Sequence, residues 1–183
     1  IALGLSSGFL EPLESTSIAL IETGIERIKQ LFPDRRFEQS LIDEFNEVTA
    51  LEYERVRDFI ILHYKATART DTEFWRECSA MQIPETLQKK IDLFKARGYF
   101  LRYRWEMFHP VSWLAIYTGF EMLPDSYDPA VDSFDTDDLS NSLAAMKASL
   151  QKAVDQTPTH QEFLDTLYSG KNIVRNEKRY EAN

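Results

Sequence analysis

Apolar residues recur at helical spacing along most of the chain and are separated by short polar or proline-bearing breaks. The first stripe, from Ile18 to Phe32, follows hydroxyl residues that can cap a helix and ends before Pro33. A second stripe predicts the longest helix, over residues 38 to about 66. Further predicted helices cover residues 71–78, 85–97 with Pro84 at the first position and Gly98 as the stop, 111–123, 137–154 and 159–170.

Two short segments depart from the helical period and predict β-strands. Residues 1–5 form an apolar run that ends in Gly and Ser, and residues 99–105 alternate aromatic and basic side chains. Because an unpaired strand edge is a liability, two strands so far apart should join a sheet supplied from elsewhere. The prediction is therefore a mainly α chain with one or two short strands that complete a larger fold.

Composition and charge narrow the function classes. With 183 residues, 43% of them hydrophobic and 28% charged, the chain is typical of a globular protein with a sizeable core. A net charge of -9 argues against nucleic acid as a partner, and no apolar run is long enough to span a membrane. A single cysteine excludes an internal disulfide, which fits a reducing cytoplasm.

The residue types that bind metals are too scattered to predict a metal site. Cys78 is expected to fill a partly buried helical position. The three histidines are far apart: His63 is expected to pack within a helix with one nitrogen satisfied, and His160 to lie on the surface. His109, before a proline, has some chance of touching a substrate.

The opening stretch GFLEPLEST, residues 8–16, is not needed for a core, and it combines side chains that can take part in binding or catalysis. Gly4 and Gly8 allow close backbone approach to a flat ligand, and Pro12 fixes a turn. The helix that follows directs unpaired N–H groups at this turn, where an anion can bind. Glu14 either faces a cavity there or merely interacts with the helix dipole, and spacing alone favours the second alternative.

Three stretches resemble the flavin-dependent halogenases, the family that includes the tryptophan halogenases. They are LGLSSGFLEPLESTSI at the start, FNEVTALEYERVRDFIILHYKATARTDTEFW at residues 45–75, and WLAIYTGFEMLP at residues 113–124. The resemblance covers about the first two thirds of the chain, in the same order.

The resemblance implies that the chain is the C-terminal part of such an enzyme, completing the α/β FAD-binding fold of a larger protein. Residues 1–14 would be a strand and turn of the flavin-binding domain, residues 15–170 a helical substrate-side subdomain, and residues 171–183 a polar tail. The implied partners are the N-terminal FAD-binding portion, a separate flavin reductase that supplies FADH2 and a small aromatic substrate; a homodimer is also compatible. No G-x-G-x-x-G and no match to the family's catalytic lysine occur in this chain.

The resemblance also implies roles for individual residues. Reduced FAD and oxygen convert chloride or bromide to hypohalous acid, which halogenates an electron-rich, indole-like or tryptophan-like ring. Glu14 matches the active-site glutamate that positions the halogen or accepts the ring proton, and Ser15 adjoins it in the same cavity. The implied halide-binding residues are Thr16 and Ser17, through their backbone N–H groups, and the implied flavin contacts are Leu5, Ile18 and Pro12.

The resemblance matches the substrate-binding residues less closely than it matches the opening motif. Tyr103, Phe108, His109 and Trp113 fall near the family's substrate-binding positions, but Glu106 is out of register, so an indole, a phenol or a larger aromatic scaffold is as plausible as free tryptophan. Two other functions stay open at this point: a flavin-dependent monooxygenase that hydroxylates an aromatic ring, and a non-catalytic helical binding module. The halogenase interpretation also predicts exposed apolar surface around residues 1–5.

Overall fold

The computed structural model describes residues 1–169. The chain divides into two compact units, Ile1–Asp128 and the part from Pro129 onward. The polar tail predicted for residues 171–183 lies outside the described residues. Across the described part the regular structure is helical and contains no β-strand, so the prediction of a mainly α chain is confirmed.

Five α-helices build the first unit, and their bounds follow the predicted stripes closely. They are α1 (Ser17–Leu31), α2 (Gln39–Lys65), α3 (Glu73–Ala80), α4 (Glu85–Arg97) and α5 (Pro110–Gly119). Two short 3₁₀ turns, Gly4–Ser6 and Pro12–Glu14, precede them.

The helix ends show where the sequence signals act. Gly98 closes α4 in the left-handed conformation, with φ of 74°, which is favourable only for a residue without a side chain. Pro84 occupies the N-cap of α4 rather than its first helical position. α5 ends at Gly119, before the predicted stop at residue 123, because Glu121 takes a positive φ of 57° that no α-helix continues through.

Both predicted strands are absent from the described residues. Residues 1–5 contain the 3₁₀ turn Gly4–Ser6, and residues 99–105 form an irregular segment with Trp105 at φ of 63°. A strand forms by pairing with a neighbouring strand, and this part of the chain offers neither segment a partner. Within this segment Phe100, Leu101 and Tyr103 are half-buried, whereas Tyr99, Arg102, Arg104 and Trp105 are exposed.

The core of the first unit lies between the C-terminal half of α2, α4 and α5. Its largest side chains are stacked rings, including Phe94 on Tyr117 at 4.1 Å between centroids. The fully or nearly buried members of this cluster are Phe59, Leu62, Leu87, Ile91, Phe94, Trp113 and Tyr117. A smaller cluster of Leu20, Val56 and Ile60 joins α1 to α2.

A buried ion pair also fixes α1 against α2. Both Arg27 Nη atoms donate to Glu52 Oε2, the shorter at 3.1 Å, and the hydroxyl of Thr23 donates to the same oxygen at 2.9 Å. Arg27 also donates to Thr49 at 3.1 Å, so the four groups satisfy one another away from water. The middle of α1, whose start holds the candidate site, is thereby tied to the middle of the longest helix.

The second unit contains α6 (Thr136–Asp155) and α7 (His160–Tyr168) within its described residues. Asp135 caps α6 by accepting from the amides of Asp137 and Asp138, and Thr159 caps α7 in a capping box with Glu162. The predicted apolar stripe of α6 is present but exposed, at Leu139, Leu143, Met146 and Leu150. Among residues 1–169, no helix is both long and apolar enough to cross a bilayer.

Candidate active site

Residues 9–16, called here the glutamate turn, lead the chain into α1. The 3₁₀ turn Pro12–Glu14 ends at Ser15, whose N–H donates to the Pro12 carbonyl at 2.9 Å. Ser15 takes the left-handed conformation with φ of 52°, which is uncommon for a residue with a side chain. This reversal places Glu14 just before the start of α1, on the side that faces α2.

Glu14 contacts a histidine from the last turn of α2. Oε1 of Glu14 lies 2.7 Å from Nε2 of His63, and the two side chains are 28% and 13% exposed. The other ring nitrogen of His63, Nδ1, lies 2.8 Å from the backbone carbonyl of Phe59. The expectation that His63 packs with only one nitrogen satisfied is wrong, because both nitrogens have partners and one of them is Glu14.

The second glutamate of the turn binds the next residue of α2. The hydroxyl of Tyr64 donates to Oε2 of Glu11 at 2.7 Å, and this hydrogen bond to a carboxylate raises the pKa of Tyr64. The Tyr64 ring stacks on Trp75 at 6.1 Å between centroids. Neighbouring residues of α2 therefore hold both glutamates of the turn.

The start of α1 carries no side-chain cap. Thr16 is the N-cap residue but makes no capping hydrogen bond through its side chain, and the first turn of α1 contains no acidic residue. The expectation that a hydroxyl from residues 15–17 caps these amides is wrong, and Glu14 is directed to His63 instead. The first backbone N–H groups of α1, which include those of Thr16 and Ser17, thus have no partner within the helix. Their partial charge is positive, as an anion site requires, and Thr16 itself is 5% exposed.

Apolar side chains on both sides of the turn are exposed. Leu5 and Ile18, the expected flavin contacts, expose 72% and 71% of their surfaces, and Ile1 in the predicted exposed patch exposes 80%. Gly4 and Gly8 lie close to protein side chains. A Cβ at Gly8 would lie 3.0 Å from the Tyr53 ring, and one at Gly4 would touch Ile21.

A layer of aromatic rings lies behind the Glu14–His63 pair. Phe59 meets His63 edge-on at 5.0 Å, stacks on Phe108 at 3.8 Å and contacts Trp113 edge-on at 4.8 Å between centroids. Phe108 is only partly buried. The structure therefore links Phe108, one of the expected substrate residues, to Glu14 through two intervening rings, those of His63 and Phe59.

The other expected substrate residues have different surroundings. Trp113 is 3% exposed and belongs to the core, so it does not form an open wall in this chain. His109 is exposed as the N-cap residue of α5. Tyr103 is half-buried, with the guanidinium of Arg55 4.4 Å and the ammonium of Lys90 5.1 Å from its ring centroid.

A buried pair beside Tyr103 was not predicted from the sequence. Nζ of Lys90 lies 2.6 Å from Oε1 of Glu106 and also donates to the Leu101 carbonyl. Burial is the main cause that lowers the pKa of Lys90, and it also raises the pKa of Tyr103. The pair anchors residues 99–109, which carry Tyr103 and Phe108, to α4. Within residues 1–169 no group of His, Cys, Asp and Glu side chains is arranged to hold a metal ion.

The site combines uncapped helix amides, an adjoining carboxylate and a nearby aromatic layer. These are features that the resemblance to the flavin-dependent halogenases implies. The sequence profile of the tryptophan halogenase family matches residues 1–136. The chain therefore belongs to the tryptophan halogenase family, whose members are flavin-dependent enzymes that use FAD and a halide.

Individual relatives agree with this assignment. Tryptophan 6-halogenase SttH from Streptomyces toxytricini is 31% identical over 170 residues, which cover 91% of this chain and 32% of the relative. The structure of BrvH, a flavin-dependent halogenase from Brevundimonas sp. BAL3, is 66% identical with a TM-score of 0.87, covering 91% of this chain and 34% of BrvH. The structure of Xcc4156, a flavin-dependent halogenase from Xanthomonas campestris, is 40% identical with a TM-score of 0.83, covering 90% of this chain and 33% of Xcc4156. The chain thus spans about a third of the length of these relatives.

Proposed function

We propose that this chain is the C-terminal part of an FADH2-dependent halogenase that chlorinates or brominates an electron-rich aromatic substrate through hypohalous acid. The observation that carries the proposal is the position of Glu14. It lies directly before an uncapped helix start, is fixed by His63, and is linked to Phe108 through the rings of His63 and Phe59. A carboxylate, an anion site and an aromatic surface are among the protein groups that electrophilic halogenation uses.

The residues around the glutamate turn fit a flavin and a halide. The partnerless amides of Thr16 and Ser17 suit a small anion, since a helix start favours negative charge. Exposed Leu5 and Ile18 supply apolar surface for a flat ring system, and Pro12 holds the turn between them. When bound, reduced FAD would activate dioxygen, and dioxygen would be the oxidant that converts the halide into hypohalous acid.

Glu14 is proposed to accept the proton that the aromatic ring loses. After the electrophilic halogen has bonded to a ring carbon, a carboxylate oxygen takes the proton from that carbon and the C–H electron pair restores the aromatic ring. The contact with His63 uses Oε1 and leaves Oε2 for this step. Ser15, the next residue, is proposed to hydrogen-bond within the same cavity.

The substrate is proposed to lie against Phe108, with His109 and Tyr103 at the edges of its site. Phe108 offers a partly exposed ring that stacks on Phe59, and His109 is accessible. Trp113 is proposed to support Phe59 and Phe108 from the core rather than to touch the substrate. The ring bound there is proposed to be an indole, free or as part of a larger aromatic scaffold.

The proposal requires partners beyond this chain. An N-terminal FAD-binding portion of the same protein would cover the exposed surface around Leu5 and Ile18, and a separate reductase would supply FADH2. The catalytic lysine of the family is proposed to come from that portion. A homodimer is compatible with the proposal but is not needed for it.

The test is a product analysis with the complete protein. The protein is incubated with FAD, a flavin reductase, NADH, bromide and indole, and the products are identified by mass spectrometry. Brominated indole is the expected product, recognised by its paired bromine isotopes. Hydroxylated indole alone would favour the aromatic monooxygenase, and unchanged indole with normal flavin reduction would favour a non-catalytic module; either result contradicts the proposal.

A further inference from the structure

We infer that His63 is a positioning residue for Glu14, and that it acts as an imidazolium that donates Nε2–H to the carboxylate. The inference rests on the proposed function for its effect on turnover, while the protonation of the pair can be measured without any reaction. His63 lies on α2, outside the glutamate turn, and it has the 2.7 Å contact with Oε1 of Glu14.

The partners of the two ring nitrogens decide which of them carry protons. A backbone carbonyl can only accept, so Nδ1 must carry a hydrogen to bond the Phe59 carbonyl at 2.8 Å. A neutral imidazole has one N–H, which leaves a lone pair on Nε2. An ionised carboxylate also only accepts, and two acceptors do not approach to 2.7 Å without a proton between them. The Glu14–His63 pair therefore holds one proton in this contact.

The surroundings favour the arrangement in which His63 holds that proton, so that His63 is positively and Glu14 negatively charged. Glu14 keeps 28% of its side chain exposed and precedes the start of α1, where the positive partial charges of the free amides stabilise a carboxylate. An imidazolium facing a carboxylate at hydrogen-bond distance also gives the stronger, charge-assisted bond. Glu14 is thus an anion with one oxygen occupied, and Oε2 is ready to accept a proton.

His63 itself is held in place by α2. The Phe59 carbonyl fixes the ring through Nδ1, and the Phe59 ring packs against its edge at 5.0 Å. The carboxylate of Glu14 therefore takes its direction from a helix that is part of the core, although the backbone beside it is in the uncommon left-handed conformation at Ser15. Loss of His63 would leave this carboxylate free to rotate away from the ring carbon.

The kinetic test uses the complete protein with reductase, bromide and indole. His63→Phe keeps an aromatic ring against Phe59 and removes both nitrogens, so kcat should fall by about tenfold to a hundredfold, as for a misplaced catalytic group. His63→Gln restores a donor near Glu14 and should recover part of that loss. In a Glu14→Gln background, His63→Phe should cause no further loss, because its effect passes through Glu14.

Tyr64→Phe is the matched control, since it removes the other 2.7 Å contact between α2 and the same turn. Equal losses in His63→Phe and Tyr64→Phe, or an undiminished loss in the Glu14→Gln background, would mean that His63 merely supports the fold and would overturn the inference. So would a wild-type kcat in His63→Phe.

A second measurement does not depend on activity. Nitrogen-15 NMR of the histidine-labelled complete protein at neutral pH should show His63 with both ring nitrogens protonated, and Glu14→Gln should abolish that signature. An unprotonated Nε2 in the wild type overturns the inference. If no brominated product forms but both nitrogens are protonated, the proposed function fails while the pair itself stands.

Discussion

Lys90 and Glu106 form an ion pair inside the first unit, with 2.6 Å between Nζ and Oε1 and with side chains only 4% and 3% exposed. The Lys90 ammonium also lies 4.4 Å from the centroid of the Trp113 ring. Because the pair connects α4 to residues 99–109, it holds the segment that carries Tyr103 and Phe108. The position of the proposed substrate surface thus depends on a charge pair that does not itself contact the glutamate turn.

Removing the carboxylate of this pair should destabilise the protein strongly. Glu106→Gln leaves the Lys90 charge buried without its counter-ion, which typically costs about 3–5 kcal/mol. The free energy of unfolding is measured by urea denaturation. Glu26→Gln makes the same substitution in the exposed pair with Lys29 and should cost less than about 1 kcal/mol. Equal losses in the two variants would show that burial of the pair adds nothing.

Tyr117 makes stability sensitive to alkaline pH. Burial raises the pKa of Tyr117 well above its ordinary value near 10. Its contribution to stability is complete below about pH 10, where the unfolded chain is also protonated, and is lost as rising pH ionises the unfolded chain first. Tyr117→Phe should therefore lose less stability than the wild type between about pH 9 and 11, compared by urea denaturation at each pH.

Two features make the Tyr117 comparison specific. The lowered pKa of buried Lys90 has the opposite effect, because stability rises with pH as long as the unfolded chain holds a proton that the folded protein has lost. This effect is common to both proteins and cancels. Tyr99→Phe removes one hydroxyl from an exposed tyrosine and serves as the control. A Tyr117→Phe profile that parallels the wild type would contradict the prediction.

The Arg27–Glu52 pair should behave as a coupled unit. Arg27→Met and Glu52→Gln each leave a buried polar partner unsatisfied, so each should destabilise, while the double variant should lose less than the sum by about 1–3 kcal/mol. The measurement is a double-mutant cycle of unfolding free energies. The same cycle at the exposed Arg69–Asp71 pair should give little or no coupling. Additive losses at Arg27 and Glu52 would rule out a cooperative link between α1 and α2.

Glu14→Gln should reduce catalysis without affecting flavin binding. The amide cannot accept the ring proton, so kcat of the complete protein should fall by about tenfold to a thousandfold. Flavin affinity, measured by fluorescence titration, should stay within about twofold, since the proposed flavin contacts are unchanged. A variant with wild-type kcat would reduce Glu14 to a residue that only anchors the turn.

Trp113 and His109 should respond in opposite ways to replacement by alanine. Trp113→Ala removes a core ring and should cost about 3–5 kcal/mol of unfolding free energy. His109→Ala should change stability by no more than about 0.5 kcal/mol but raise KM for the aromatic substrate. Unfolding curves and steady-state kinetics of the complete protein distinguish the two. A stable Trp113→Ala variant with a raised KM would indicate that Trp113 contacts the substrate after all.

The helices could be predicted from local patterns, because the signals that define them are local. Apolar spacing marks a helical face, and Pro33 and Gly98 affect only the helix end next to them. The two strands were mispredicted because strand formation depends on a neighbour, which residues 1–5 and 99–105 lack in this chain. The opening motif pointed to Glu14 through family resemblance, and its place beside the start of α1 followed from the sequence.

The partners of Glu14 could not be predicted in the same way. His63 lies far from Glu14 in sequence, and its apolar helical neighbours gave it the pattern of an ordinary packed residue. Glu106 was judged out of register from the order of residues around it, and nothing in that order indicated its contact with Lys90 on α4. Long-range charge pairs depend on how helices pack, which one sequence without its three-dimensional arrangement does not specify.

The two contacts between α2 and the glutamate turn come from successive residues, His63 and Tyr64. Successive side chains on an α-helix project about 100° apart, so inserting or deleting one residue upstream within α2 would rotate both away from Glu14 and Glu11 together. Length variation in functional proteins of this kind should therefore be confined to the loops on either side of α2. For an engineer who wishes to alter the candidate active site, the loop after Lys65 is the place to add residues, and α2 is the place to leave at constant length.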